Sequence, residues 1–246
     1  GEQTRDLDIV PPVTVKLGSN VYLFPEAKPR PVTVWMKSFA AATGTVRLAM
    51  PNGWKAEPES QPVTFDAKGG EASATFTVTP PAGADTALLR ADVALGSEAP
   101  ISEGIVDLDY PHIPAQRVLG DATAKVVRAD IKHRGNRIGY IMGSGDDGPN
   151  ILRQVGYEVA LLTDADLDRG EFAEYDAVVA GIRAYNTRTR LRLAHEKLMK
   201  YVENGVTMVV QYNTRDDLAV PAPGPYPFTI SRDRVSQRMK VMATER

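Results

Sequence analysis

In this 246-residue chain, residues able to carry chemistry gather at the ends of β-type runs in the second half. The first group follows Ile138-Gly139-Tyr140-Ile141-Met142 and reads Gly143-Ser144-Gly145-Asp146-Asp147-Gly148, a formal G-x-G-x-x-G, with Asp164 about twenty residues on. That spacing is a dinucleotide fingerprint, in which glycines let the backbone approach a pyrophosphate. Two features oppose it. Asp146 and Asp147 bring negative charge to the place a pyrophosphate would occupy, and Pro149 delays or distorts the helix whose N-terminus should hold it. Ser144 is the alternative, a nucleophile on a strand-to-helix turn. The G-x-S-x-G frame is missing, however, and the available bases are His112, His133 and His195, all of which read as surface histidines.

The second group, Gly181-Ile182-Arg183-Ala184-Tyr185-Asn186-Thr187-Arg188, supplies a guanidinium, a phenol and an amide within four residues. Gln211-Tyr212-Asn213-Thr214 repeats that chemistry after the next apolar run. Two readings stand side by side: a ligand crevice, or polar side chains that cap and pack the following helix. The carboxylate pairs Asp146/Asp147 and Asp216/Asp217 are adjacent in sequence and read as turn residues rather than an acid–base pair. No His-x-x-x-His occurs and cysteine is absent, which removes disulfides, thiol nucleophiles and thiolate metal sites, and makes zinc unexpected in this chain.

These groups need elements to position them. After about Lys125 strands alternate with helices. Val126–Asp130 reads as a short strand and Ile138–Met142 as a buried one. A helix is expected from Asn150 to Val155, a strand over Glu158–Leu162, a helix over Leu167–Phe172 and a strand over Ala177–Ala180. An amphipathic helix over Arg190–Glu203, closed by Asn204-Gly205, then leads into a strand over Thr207–Gln211. Such alternation predicts βαβ units. Strands ending at Met142, Leu162, Gly181 and Gln211 should therefore lie parallel in one sheet, gathering Ser144, Asp146, Asp164, Arg183, Tyr185, Asn186 and Asn213 along one edge. Beyond Asn213 the proline-rich run Val220–Pro227 excludes helix and central strand, and the tail leaves the domain open to truncation.

From Pro11 to Tyr110 the text differs. Short alternating runs such as Val32-Thr33-Val34-Trp35-Met36 and Ala74-Thr75-Phe76-Thr77-Val78 are separated by turn signals, which predicts a β-sandwich. Trp54, after Pro51-Asn52-Gly53, reads as a core aromatic; an aromatic platform for a sugar would need it exposed beside a second ring. Prolines 100, 111 and 114 place a stiff connection between Ser97 and Arg117. The expected division is 1–114 and 115–246. The halves differ in charge, with 9 Lys/Arg against 14 Asp/Glu in the first and 20 against 17 in the second. The whole, at −2, carries no basic field for nucleic acid, and no apolar run approaches the roughly 20 residues of a membrane span.

Several phrases together resemble the C-terminal region of long bacterial PIG-L/LmbE family deacetylases. They are Ile138–Gly143, Tyr175–Asn186, Val209–Thr214 and Gly224–Phe228, with Pro51–Trp54 and Thr77–Pro81 in the first half. The resemblance implies an Ig-like sandwich followed by a flavodoxin-like, class I glutamine-amidotransferase-like open sheet. It also implies an upstream zinc-dependent N-acetylglucosamine deacetylase domain in the same polypeptide, carbohydrate as a further partner, and an extracytoplasmic location. The deacetylase phrase A-H-P-D-D and the amidotransferase cysteine are both missing, so neither activity carries over. The expectation is thus a non-catalytic accessory region acting in ligand or partner binding and spacing, without a cofactor of its own. Its candidate ligand contacts are Arg183, Tyr185, Asn186, Asn213, Ser144 and Asp146. The alternative is an independent enzyme using the Gly143–Gly148 loop for a nucleotide or Ser144 for hydrolysis.

Overall fold

A computed structural model describes residues 9–97, 99–108, 112–113 and 116–232. They divide into two compact units, one ending at Lys132 and the other beginning at His133. In chain order the first unit contains β1 (Val13–Leu17), β2 (Val21–Phe24), β3 (Arg30–Ser38), β4 (Ala42–Ala49), β5 (Lys55–Glu57), β6 (Gln61–Phe65), β7 (Glu71–Thr79), β8 (Asp85–Ala94), β9 (Glu103–Leu108), β10 (Gln116–Asp121) and β11 (Thr123–Arg128). Side chains alternate across each strand. Val32, Val34 and Met36 of β3 are buried while Trp35 and Lys37 point out, and Ala74, Phe76 and Val78 of β7 are buried while Thr75 and Thr77 point out. The inward faces of the sheets β1-β3-β7-β5 and β2-β11-β8-β4-β6 supply one apolar core, so the unit is a β-sandwich. Each fully buried Val or Phe there contributes about 1.5–3 kcal/mol. Trp54 belongs to this core: it is 4% exposed, meets Phe24 edge to face at 5.0 Å, and donates its Nε1–H to Asp85 Oδ2 at 2.6 Å.

The boundary differs from the expected 114/115. Residues of the expected connection form β9 and β10, an antiparallel hairpin, and β11 inserts between β2 and β8 in the second sheet. The cause is again a period of two. Ala124, Val126 and Arg128 of β11 face inward and Thr123 and Lys125 outward, a pattern that completes the sandwich rather than founding a new sheet. Of the stretch Tyr110–Pro114, on which the stiff connection was to rest, Tyr110, Pro111 and Pro114 lie outside the described residues.

The second unit runs β12 (Arg137–Ile141), α1 (Gly148–Val155), β13 (Glu158–Leu161), α2 (Asp164–Arg169), β14 (Ala177–Ala180), α3 (Ala184–Thr187), α4 (Leu191–Glu203) and β15 (Thr207–Val210). Its four strands pair in parallel in the order β13-β12-β14-β15. Helix α2 begins three residues before the expected start because Thr163 and Asp166 form a capping box, and it stops at Gly170 in the left-handed conformation. Helix α4 buries Leu191, Ala194, Leu198 and Tyr201 against the sheet. From Gln211 to Arg232 the chain makes turns and bends, and the tail from residue 233 lies outside the described residues.

Candidate functional site

Because the strands of the second unit are parallel, their carboxyl ends share one edge, and the turns after β12, β14 and β15 meet there. What those turns do with their polar groups decides between a crevice and a clasp. Tyr185 is fully buried in α3, and its N–H donates to Asn213 Oδ1 at 3.0 Å. Asn213, 5% exposed, donates its side-chain N–H to Gln211 O at 2.8 Å. Asn186 donates to Thr214 O and Asp216 O and accepts from Thr214 N–H. The side chains of Asn186 and Asn213, with the backbone N–H of Tyr185, tie the turn after β14 to the turn after β15, and their hydrogen-bonding groups are used in doing so. The buried Tyr185 hydroxyl lies 3.2 Å from His195 Nδ1; burial pushes the phenol up and the imidazole down from their usual ranges. His195 is thus half buried against Tyr185 rather than on the exposed side of its helix.

The Gly143–Gly148 loop is equally self-contained. Asp146 Oδ1 accepts the Tyr140 O–H at 2.6 Å and the Gly148 N–H at 2.8 Å, while Oδ2 accepts the Ile182 N–H at 3.3 Å. Its carboxylate therefore lies at the start of α1, where a phosphate would have to go. Gly143 is required by packing: a Cβ there would stand 2.0 Å from Ile182 O. Ser144 is exposed, and its N–H and hydroxyl both donate to Ile182 O. Asp164 pairs with Arg188 at the same edge. His133 packs on Tyr157 at 4.5 Å. Arg183 keeps an exposed side chain on a left-handed backbone with φ 58°, and the carboxylate of Asp146 is spent on Tyr140 instead of pairing with it. The structure thus brings Ser144, Asp146 and Arg183 to one edge and commits Tyr185, Asn186 and Asn213 to holding it. Among the described residues no three His, Cys, Asp or Glu side chains converge as a metal site would require.

An open groove lies elsewhere, on the outer face of the sandwich sheet β1-β3-β7-β5. Its volume is about 740 Å³ and its floor carries Trp35. Strand register sets the neighbours: Lys16 and Ser73 flank Trp35 across the sheet, and the adjoining row is Thr14, Lys37 and Glu71. Ile105 and Asp107 of β9 with Arg117 of β10 line the groove from the hairpin. Contact between hairpin and sheet depends on Gly104, where a Cβ would stand 2.5 Å from Val15 O. Two ion pairs, Lys37–Glu71 at 3.3 Å and Arg117–Asp107 at 2.7 Å, offset much of the charge. Trp35 is 53% exposed, unusual for so large a ring. Sequence reading passed over it in favour of Trp54, yet the signal was present, because a strand that buries Val32, Val34 and Met36 must turn Trp35 outward.

No family model matches the chain, and no curated protein does. Solved structures to which it is similar include the ASH/PapD-like domain 7 of human CEP192, at 11% identity and TM-score 0.30, spanning 54% of this chain and 96% of that one. Another is WR4, a C. elegans MSP family member, at 14% identity and TM-score 0.26, spanning 47% and 98%. A third, SSP-19, an MSP-domain protein like family member from Caenorhabditis elegans, is 12% identical with TM-score 0.27, spanning 46% and 98%. The likeness to PIG-L/LmbE deacetylases and to amidotransferases is overturned by these comparisons, which return no such protein and reach instead PapD-like and MSP all-β domains. The phrases quoted from the second half are apolar parallel strands running into polar turns, a pattern that open α/β sheets of many kinds share. Among the described residues no helix is long and apolar enough to cross a membrane.

Proposed function

We propose that this chain is a non-catalytic binding module whose ligand site is the Trp35 groove of the sandwich. The observation that carries the reading is Trp35 itself, a large ring left half exposed on the floor of a lined groove. Burying such a ring on binding gives a large apolar contribution, so leaving it open in the free protein costs least where a ligand covers it. The second unit adds support by what its residues are already doing. Its order β13-β12-β14-β15 follows the flavodoxin-like pattern, in which ligands sit at the strand ends, yet Asp146, Asn186 and Asn213 fill that edge with internal hydrogen bonds. We read this unit as flavodoxin-like in build and spacing in role. The competing reading, an enzyme using the Gly143–Gly148 loop or Ser144, must displace the Asp146 carboxylate or free Ser144 from Ile182.

Thermal unfolding of the full chain against nucleotides, neutral sugars and short peptides separates the two. A ligand at 100 times its Kd adds about 2.7 kcal/mol. At least one non-nucleotide should raise the wild-type midpoint and fail to do so in Trp35→Ala. A nucleotide shift that survives Trp35→Ala would favour the enzyme.

A further inference from the structure

We infer that the groove takes a neutral saccharide, with one pyranose ring stacked on the indole of Trp35; this rests on reading the groove as the ligand site. Three observations converge on that chemistry. The first is the state of the ring. Trp35 is 53% exposed, and among the described residues no other ring stacks on it, no cation sits over its face and its Nε1–H has no acceptor. Its π face is electron-rich, and the C–H face of a sugar ring is apolar and weakly positive. A free indole N–H beside that face adds a donor for a ring substituent.

The second observation concerns charge. Lys37 is paired with Glu71 and Arg117 with Asp107, so four of the five charged side chains that line the groove sit in neutralised pairs, and Lys16, beside Trp35, is the fifth. An anionic ligand would find Lys16 outside these pairs and would have to compete with the two carboxylates for Lys37 and Arg117. A polyhydroxyl compound would not, because each hydroxyl both donates and accepts and can add to an ion pair without breaking it. Ser73, directly across from Trp35, supplies a hydroxyl of the same kind.

The third is shape. At about 740 Å³ the groove falls within the roughly 300–1,000 Å³ range of small-molecule sites. Its aromatic lies on a sheet face rather than along an open sheet edge. A peptide adding as a strand would need the flank of β1, and β9 already runs there, close enough that Gly104 has no room for a side chain against Val15 O.

The chain's two tryptophans make the test self-reporting, since Trp54 is buried and acrylamide should reach Trp35. The full chain is titrated with neutral tetrasaccharides of glucose, N-acetylglucosamine, mannose and xylose, with tetragalacturonate, and with a proline-rich decapeptide. Acrylamide quenching is the readout. We expect at least one neutral tetrasaccharide to shield Trp35. Trp35→Ala should weaken its binding at least tenfold, measured by calorimetry, with Trp35→Tyr recovering part of the loss and the unfolding midpoint unchanged in both. Shielding by tetragalacturonate or the peptide alone would overturn the saccharide assignment and leave the groove as a ligand site. No shielding by any of them would overturn both.

Discussion

Asn213 carries no charge and sits outside every helix and strand, yet it decides how the second unit's edge is built. Its Oδ1 accepts the N–H of Tyr185, a donor buried at the start of α3, and its own N–H is spent on Gln211 O. Replacing it with Ala leaves the Tyr185 N–H buried without a partner, so Asn213→Ala should lower stability by about 1–3 kcal/mol. Ser144→Ala, at an exposed site on the same edge, should change stability by less than about 0.5 kcal/mol. Urea titration of the full chain checks both. Equal effects would mean that Asn213 is not a clasp. At this scale the sequence was legible as chemistry but not as role. Arg183, Tyr185, Asn186 and Asn213 were visible as polar residues after apolar runs, and their types suit a ligand crevice and a pair of linked turns equally well. What separates the roles is whether each donor already has an acceptor, and the acceptors lie up to 30 residues away, as Asp216 O does for Asn186.

Elements were easier to read where a period repeated. The strand over Ala177–Ala180 coincides with β14, and α4 begins one residue after its expected start, because a buried four-residue run and a 13-residue amphipathic stripe each leave one solution. Short elements were not legible: the early start of α2 comes from its Thr163–Asp166 capping box, and α3 is four residues long with no side-chain cap at its start. β11 is the instructive case. Its residues read as a strand of the second half, and pairing with β2 and β8 assigns it to the sandwich instead. A fragment of residues 1–114 should therefore fail to fold cooperatively, since it leaves β8 without one neighbour and β2 without any. A fragment of 1–132 should show a single β-type unfolding transition by circular dichroism. A cooperative transition in 1–114 would mean that β11 is dispensable to the core.

For the whole molecule, composition excluded much and named nothing. The absence of cysteine removes thiol chemistry, while the groove depends on an outward tryptophan in one strand and a hairpin about 70 residues later. No local pattern carries that juxtaposition, because it arises from tertiary packing of β9 beside β1. The central claim is that ligand binds at this groove and not at the strand ends of the second unit. The most direct measurement is a two-dimensional ¹H–¹⁵N spectrum of the full chain with and without the ligand that gives the largest thermal shift. The account predicts that the Trp35 indole resonance and the backbone amides of Lys16, Lys37, Ser73 and Asp107 move together while Trp54 stays in place. Movement confined to Ser144, Asp146 and Arg183, with Trp35 unchanged, would contradict it.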